Sequence, residues 1–128
     1  MKLLTPILLL AFFVFTAATC TKSTGNNSKC FKGRLEIKGI CMNYVVKVLE
    51  GDTTALNLEK TWVDETTDKT YANVFGLGNK CDFPDLEEGA EFYFTIEDNP
   101  TTDCMVCEAF RPTPAAKNNI KVRKTPCP

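Results

Sequence analysis

Apolar and polar residues alternate along several short segments of the chain. In FKGRLEIKG, every second residue from Phe31 to Ile37 is apolar or glycine, and the residues between them are charged. A period of two with one charged face is typical of a half-buried β-strand. The next segment, MNYVVKVLEG, is rich in β-branched and aromatic residues and ends at Gly51. We therefore expect the two segments to pair as a hairpin.

Further strand patterns follow along the chain. KTWVDETTDKTYANVFGLG predicts strands at 61–63 and 71–75, joined by a polar turn at 64–69. EFYFTIED predicts a buried face of Phe92, Phe94 and Ile96. CMVCEAFRP and IKVRK predict a last hairpin of 104–111 with 119–123. TALNLEK is consistent with a short helical turn or an irregular strand, and NKCDFPDLEEGAE predicts a loop.

These segments predict the fold class. Helical periodicity is nearly absent, and six or seven short strands in about 95 residues indicate an all-β domain. We expect a small antiparallel barrel of five to six strands, of the oligonucleotide/oligosaccharide-binding (OB) type, because closure removes exposed strand edges. A β-sandwich, with the same strands divided between two sheets, is the alternative.

The first residues, MKLLTPILLLAFFVFTAATC, have the pattern of an export signal. One lysine precedes an apolar run of about 13 residues, and small residues follow at 16–19. A membrane-spanning helix needs about 20 apolar residues, so a cleaved signal is the better interpretation. We expect a signal peptide at 1–19, a flexible tether at 20–29 and a single β domain at 30–128.

The seven cysteines predict both disulfides and one residue left over. An exported chain meets an oxidising compartment, where cysteines pair, so an odd number leaves one unpaired. Cys20 is the natural exception because it lies where the signal ends. An ordinary signal-peptidase cut after Ala18 or Thr19 would instead leave Cys20 as a free or dimer-forming thiol. The disulfide candidates are Cys30, Cys41, Cys81, Cys104, Cys107 and Cys127.

With its signal and Cys20, the chain resembles small cysteine-rich lipoproteins of Gram-negative bacteria of the Bacteroidota kind. VFGLGNKCDFP and CEAFRPTP add a general likeness. Such signals usually carry Leu three residues before the cysteine and Gly or Ala directly before it, where this chain has Ala17 and Thr19. The resemblance implies lipidation of Cys20, a location in the cell envelope at the outer membrane, and no active site to carry over.

Composition excludes several kinds of catalytic site. The chain has no histidine, and its only serines, Ser23 and Ser28, lie in the predicted tether. A Ser-His-Asp triad, a Cys-His pair and a histidine zinc site therefore have no residues to form them. Without residues 1–19, 14 basic and 16 acidic residues remain, which gives no support for nucleic-acid binding.

The Cys104-Met-Val-Cys107 segment has the spacing of a thiol-disulfide redox pair, which is the alternative function. On an extended strand the two cysteines would lie about 10 Å apart, beyond the span of a disulfide. We therefore expect each to bond to one of Cys30, Cys41, Cys81 and Cys127, with one or both of Cys30 and Cys127 joining an end of the domain to its core. A zinc site built from cysteines is the least favoured interpretation, because exported thiols usually oxidise.

Weaker candidates complete the analysis. One predicted loop, which we call the acidic loop, contains Asp82, Asp85, Glu87 and Glu88. Oxygen ligands of this kind bind calcium, but a solvated loop without a metal is the favoured interpretation. Possible ligand contacts are Trp62, Tyr71, Tyr93 and Arg111, the last as a recognition residue or as cover for an edge strand. We expect a lipid-anchored, non-enzymatic domain with no metal or cofactor, which binds an envelope protein or a glycan or has a structural role.

Overall fold

A computed structural model of the chain describes residues 29–128. The predicted signal peptide, Cys20 and all of the predicted tether except Lys29 lie outside these residues. Within the described part, no helix is long and apolar enough to cross a membrane.

The regular structure of the described residues consists of seven strands and two single turns of 3-10 helix. The turns are Ile40–Met42 and Thr53–Ala55. The strands are β1 (Cys30–Lys38), β2 (Tyr44–Glu50), β3 (Glu59–Asp64), β4 (Lys69–Leu77), β5 (Glu91–Ile96), β6 (Lys117–Asn118) and β7 (Ile120–Arg123).

The strands form one sheet, with the order β3-β4-β2-β1-β5-β7. All pairs along this path are antiparallel, whereas the short β6 lies parallel to β4. The predicted all-β class is confirmed, and the described residues contain seven strands, within the six or seven expected from the sequence and more than the five to six of the expected barrel. They form neither a closed barrel nor a sandwich of two sheets, since β6 meets β4 over only two residue pairs.

Most of the predicted strands are present. The β1–β2 hairpin, the β3–β4 hairpin and the strand at 91–96 are confirmed. The predicted last hairpin is wrong, because residues 104–111 form no strand and β7 pairs with β5. Two disulfides and an ion pair hold this segment in place of a strand ladder.

Five phenylalanines make the centre of the core on the inner face of the sheet. The Phe94 ring lies 5.2 Å from that of Phe31, 5.8 Å from Phe92 and 5.9 Å from Phe75, between centroids. Phe83 continues the cluster, 5.5 Å from Phe92. Each such pair adds about 0.5–1.5 kcal/mol beyond the area that it buries.

A second, smaller apolar cluster covers the outer face. Its buried members are Ile37, Val45 and Val74, with Trp62 and Tyr71 packed against them. The prediction that Ile37 shares a face with Phe31 and Leu35 is wrong, because a register shift follows Leu35 and moves Ile37 into the outer cluster.

A bend in β4 explains how the β3–β4 hairpin reaches this outer face. β4 pairs with β2 only from Val74 to Gly76. The preceding residue, Asn73, has a φ of 56°, in the left-handed region that asparagine tolerates better than most residues. The first half of β4 therefore leaves β2, and with β3 it carries Trp62 and Tyr71 onto the outer cluster.

Three disulfides join the six cysteines of the described residues. Cys30–Cys127 links the two ends of the domain, and the others are Cys41–Cys107 and Cys81–Cys104. The prediction that Cys104 and Cys107 bond elsewhere is confirmed. The reason given for it is wrong, because the two lie in a loop and not on a strand.

Substitutions at Asn73 test the bend. We expect Asn73→Val to lower the free energy of unfolding by about 1–2 kcal/mol, because a β-branched residue is poorly tolerated at positive φ. Asn73→Gly should stay within about 0.5 kcal/mol of the unsubstituted protein. Denaturant unfolding with the disulfides intact measures both. Ala72→Val, at the neighbouring exposed position of the same strand, is the control; equal losses at 72 and 73 would contradict the proposed role of Asn73.

Candidate functional site

Residues 97–116, which we call the stapled loop, connect β5 to β6 without any regular structure. The loop crosses the outer face and is bonded to the body of the domain through Cys104 and Cys107. The side-chain Nδ2 of Asn43 also donates to the Ala109 carbonyl at 2.8 Å and to the Ile40 carbonyl at 2.7 Å. The middle of the loop is thus fixed beside the 3-10 turn that follows β1.

An ion pair fixes the next part of the stapled loop. Arg111 Nη2 donates to Asp64 Oδ2 at 2.7 Å, at the end of β3. Asp64 is fully buried, and its carboxylate also accepts from the Thr66 N–H at 3.0 Å and the Thr67 hydroxyl at 3.1 Å. Gly39 leaves space on this side of the loop, since a Cβ there would meet the Asn43 carbonyl oxygen and would also come within 2.8 Å of Arg111 Cδ.

The pKa of Asp64 reflects two opposed effects. Burial raises the pKa, whereas the hydrogen bonds from Thr66, Arg111 and Thr67 and the charge of Arg111 lower it. The lowering effects are larger, so the pKa of Asp64 lies below its ordinary value. Asp64 is therefore a charged structural residue that joins the β3–β4 turn to the stapled loop.

Exposed apolar side chains collect around this loop. Among the described residues, the large apolar side chains classed as exposed are Ile40 (61%), Val63 (49%), Met105 (103%) and Phe110 (83%). Met105 lies between the two loop disulfides, and Ile40 precedes the cysteine that bonds to Cys107. Val63 and Phe110 line the same cleft. We call these four residues the apolar patch.

Cavities lie on both sides of Phe110. A cleft of about 400 Å³ separates β3 from the stapled loop, and its apolar lining includes Trp62, Val63, Phe110 and Pro112. A smaller cavity of about 290 Å³ also has Phe110 in its wall, together with Lys80, Arg111 and Lys117. Phe110 therefore lies between an apolar cleft and a cationic cavity, and Val63 lies on the side of the cleft.

A larger groove of about 640 Å³ lies elsewhere, between β7 and the acidic loop. Its lining combines basic and acidic side chains with a few apolar ones: Lys121, Arg123, Lys124, Asp82, Glu97, Pro84, Leu86 and Val122. It contains none of the four large apolar side chains that are exposed, although it is larger than either cavity beside Phe110.

The candidate ligand contacts from the sequence do not come together. Trp62 and Tyr71 pack on each other across β3 and β4, with ring centroids 5.7 Å apart. Tyr93 lies on β5, beyond β1 and β2 in the sheet, under Lys32. Arg111 makes its ion pair with Asp64, a role that neither alternative for this residue anticipated.

The acidic loop is occupied by contacts within the chain. Lys38 Nζ pairs with Asp85 at 2.9 Å and with Glu87 at 3.6 Å, and the Lys38 N–H donates to Glu88. Asp82 accepts from the Thr101 N–H at 2.7 Å. Across residues 29–128, no three His, Cys, Asp or Glu side chains are placed to hold a metal ion.

Sequence reasoning missed Ile40, Met105 and Phe110. The signal was present, because Met105 and Phe110 are large apolar residues within a segment dense in cysteine, proline and charge. We interpreted that segment as a strand, in which large apolar residues usually face the core, so neither residue was considered as a surface contact.

The comparisons with known proteins give no relative. No protein-family model, no curated protein and no solved structure matches the chain.

Asp64→Asn tests the ion pair. At pH 7 we expect the free energy of unfolding to fall by about 2–4 kcal/mol, because the largely buried Arg111 loses its counter-charge. The folded-state pKa of Asp64 is below the ordinary 3.8, so its stabilisation is complete above about pH 4 and is lost as the pH falls through the lower value. The difference between the two proteins should therefore shrink towards pH 2.

Denaturant unfolding at pH 7 and at pH 2–3 measures this effect. Asp68→Asn, at an exposed position of the same turn, is the matched control and should change the free energy of unfolding little. A pH-independent loss in Asp64→Asn would show that the ion pair is not its cause.

Proposed function

We propose that the domain is a non-enzymatic module that binds another protein through the apolar patch. One observation carries the proposal: the four exposed large apolar side chains of the described residues all lie around a loop held by two disulfides. Exposed apolar clusters of this kind mark interaction sites in soluble domains.

The disulfides and the ion pair suit a recognition surface because they remove flexibility before binding. A loop of 20 residues without regular structure would lose much conformational entropy on contact with a partner. Here Cys104, Cys107 and Arg111 are each bonded to a separate part of the domain. A preordered loop loses less entropy and so binds more tightly for the same contacts.

The chemistry of the apolar patch favours a protein partner over a glycan. Met105 and Phe110 are residue types enriched in protein interfaces, and Ile40 and Val63 extend the apolar area. Of the three aromatic residues proposed from the sequence for sugar stacking, Trp62 and Tyr71 pack on one another and on the outer cluster, whereas Tyr93 lies apart from them on β5. The contacts of Trp62 and Tyr71 serve the fold.

Export and lipid attachment at Cys20 belong to the same proposal. Three disulfides suit an oxidising compartment outside the cytoplasm. The predicted tether joins β1 at Cys30, whereas Ile40 follows the other end of this strand, roughly 26 Å away at 3.3 Å per residue. An anchor on Cys20 would thus attach to the end of β1 remote from Ile40.

We also infer an OB-like architecture from the strand connections. Only Asn119 separates β6, which pairs with β4, from β7, which pairs with β5. The segment 117–123 therefore touches strands that lie three positions apart along the sheet path. This relation supports a sheet curled in the manner of a small OB-type barrel.

Substitution of the patch tests partner binding. An interacting protein is first identified by cross-linking to the mature chain in envelope extract and is then purified. We expect Phe110→Ser and Met105→Ser to weaken its Kd at least about tenfold, since exposed anchors contribute most of an interface's energy. Both side chains are exposed, so thermal unfolding should be unchanged.

Pro84→Ser is the matched control, because Pro84 is exposed, apolar and part of the larger groove. Its Kd should equal that of the unsubstituted protein. A partner lost on Pro84→Ser and kept on Phe110→Ser would assign binding to the larger groove and overturn the patch.

Mass spectrometry of the mature protein, alkylated without reduction, tests the anchor and the redox alternative. We expect a diacyl or triacyl group on Cys20 and no alkylation of the six domain cysteines, because all six are in disulfides. A redox pair at Cys104 and Cys107 would instead have to bond to each other reversibly. Peptide mapping should return the three disulfides of the structure. A plain N-terminus would refute the anchor, and a reactive 104/107 pair would favour the redox function.

A further inference from the structure

Two lysines without acidic partners face the cavity beside Phe110. Lys80 and Lys117 both line this space of about 290 Å³, next to Arg111. None of the ion pairs in the described part of the chain includes either lysine. Arg111, by contrast, is paired with the buried Asp64.

The ammonium group of Lys117 lies over Gly76 of β4. A Cβ at Gly76 would come within 2.5 Å of Lys117 Nζ, so the absence of a side chain there leaves the space that the ammonium occupies. Lys117 Nζ donates to the Thr113 hydroxyl at 2.7 Å and to the Pro114 carbonyl at 3.2 Å. The lysine is thus held by neutral acceptors.

Lys80 is held more loosely. Its Nζ lies 3.3 Å from the Cys41 carbonyl and 3.4 Å from Asn43 Oδ1, which are long distances for hydrogen bonds of a cation. An ammonium group has three donors, so Lys80 retains capacity for a stronger acceptor.

Positive charge in this cavity is in excess. Burial lowers the pKa of Lys117, and the charge of Lys80 lowers it further, against a weaker opposing effect of Glu59. Glu59 is itself engaged with the backbone N–H groups of Ala115 and Ala116. An anion between the two lysines would relieve their repulsion and strengthen the hydrogen bonding of Lys80.

We propose that this cavity binds a carboxylate, supplied by an acidic side chain or the C-terminus of the protein that docks on the apolar patch. The partner as source rests on the proposed function, because Phe110 belongs both to the patch and to the cavity wall. A buried carboxylate beside an apolar anchor would give the interface specificity, since a partner without the acid would leave the two lysines unpaired.

Acetate is the probe of the cavity itself. NMR spectra of the mature chain are recorded during titration with sodium acetate, with chloride adjusted to hold ionic strength constant. We expect saturable shifts at the amides of Asn43, Lys80 and Lys117, with a Kd on the order of 10 mM, as for one weak ionic contact. Lys80→Gln and Lys117→Gln should each weaken binding at least fivefold.

Lys60→Gln is the control, because it removes the same charge from an exposed position on β3. Uniform, unsaturable shifts, or an equal response in all three variants, would overturn the cavity as a binding site. A response to phosphate with none to acetate would overturn the assignment to a carboxylate.

Partner binding separates the two proposals. If Phe110→Ser weakens the partner's Kd while acetate and the lysine substitutions have no effect, the cavity proposal fails and the patch stands. If acetate binds through the two lysines while the patch substitutions leave the Kd unchanged, the patch fails, and with it the partner as the source of the carboxylate. When both hold, acetate should compete with the partner, and Lys80→Gln should weaken the partner's Kd.

Discussion

The ion pair between Asp64 and Arg111 is the contact on which the candidate site depends. It joins the turn of the β3–β4 hairpin to the stapled loop at an N–O distance of 2.7 Å. With Asp64 fully buried, this carboxylate is stable only as long as its hydrogen bonds and its counter-charge are present. Phe110 precedes Arg111, so the same contact places this aromatic ring between the apolar cleft and the cationic cavity.

The outer face of the sheet is organised by contacts that are distant in sequence. The left-handed residue Asn73 lets β4 leave β2, and the hairpin then covers Ile37 and Val45. Cys41–Cys107 fixes the stapled loop beside the 3-10 turn that follows β1, and Arg111 joins the loop to Asp64 at the end of β3. The fold thus holds large apolar side chains in water, where they contribute little to stability and are available for binding.

The inner half of the fold follows closely from local pattern. Period-two segments predict β1 and β5, and a run of β-branched and aromatic residues predicts β2, because each of these strands has residues in the aromatic core. The stapled loop shows the limit of such reasoning, since CMVCEAFRP has the composition of a strand but no neighbouring strand to pair with. Trp62 shows a second limit, because its burial against Val45 depends on a bend at Asn73 that no local pattern announces.

The sequence by itself determined the all-β class, most of the strands and the lack of residues for histidine-based catalysis. It also predicted the separate bonding of Cys104 and Cys107, but from a strand that the structure does not contain. It left the cysteine connectivity and the exposure of Phe110 open, since both depend on which distant segments meet in space. Only the tertiary structure brought Asp64 to Arg111, and Lys80 to Lys117. Charges of this kind interact over a few ångströms, whereas the residues of each pair are more than 35 positions apart along the chain.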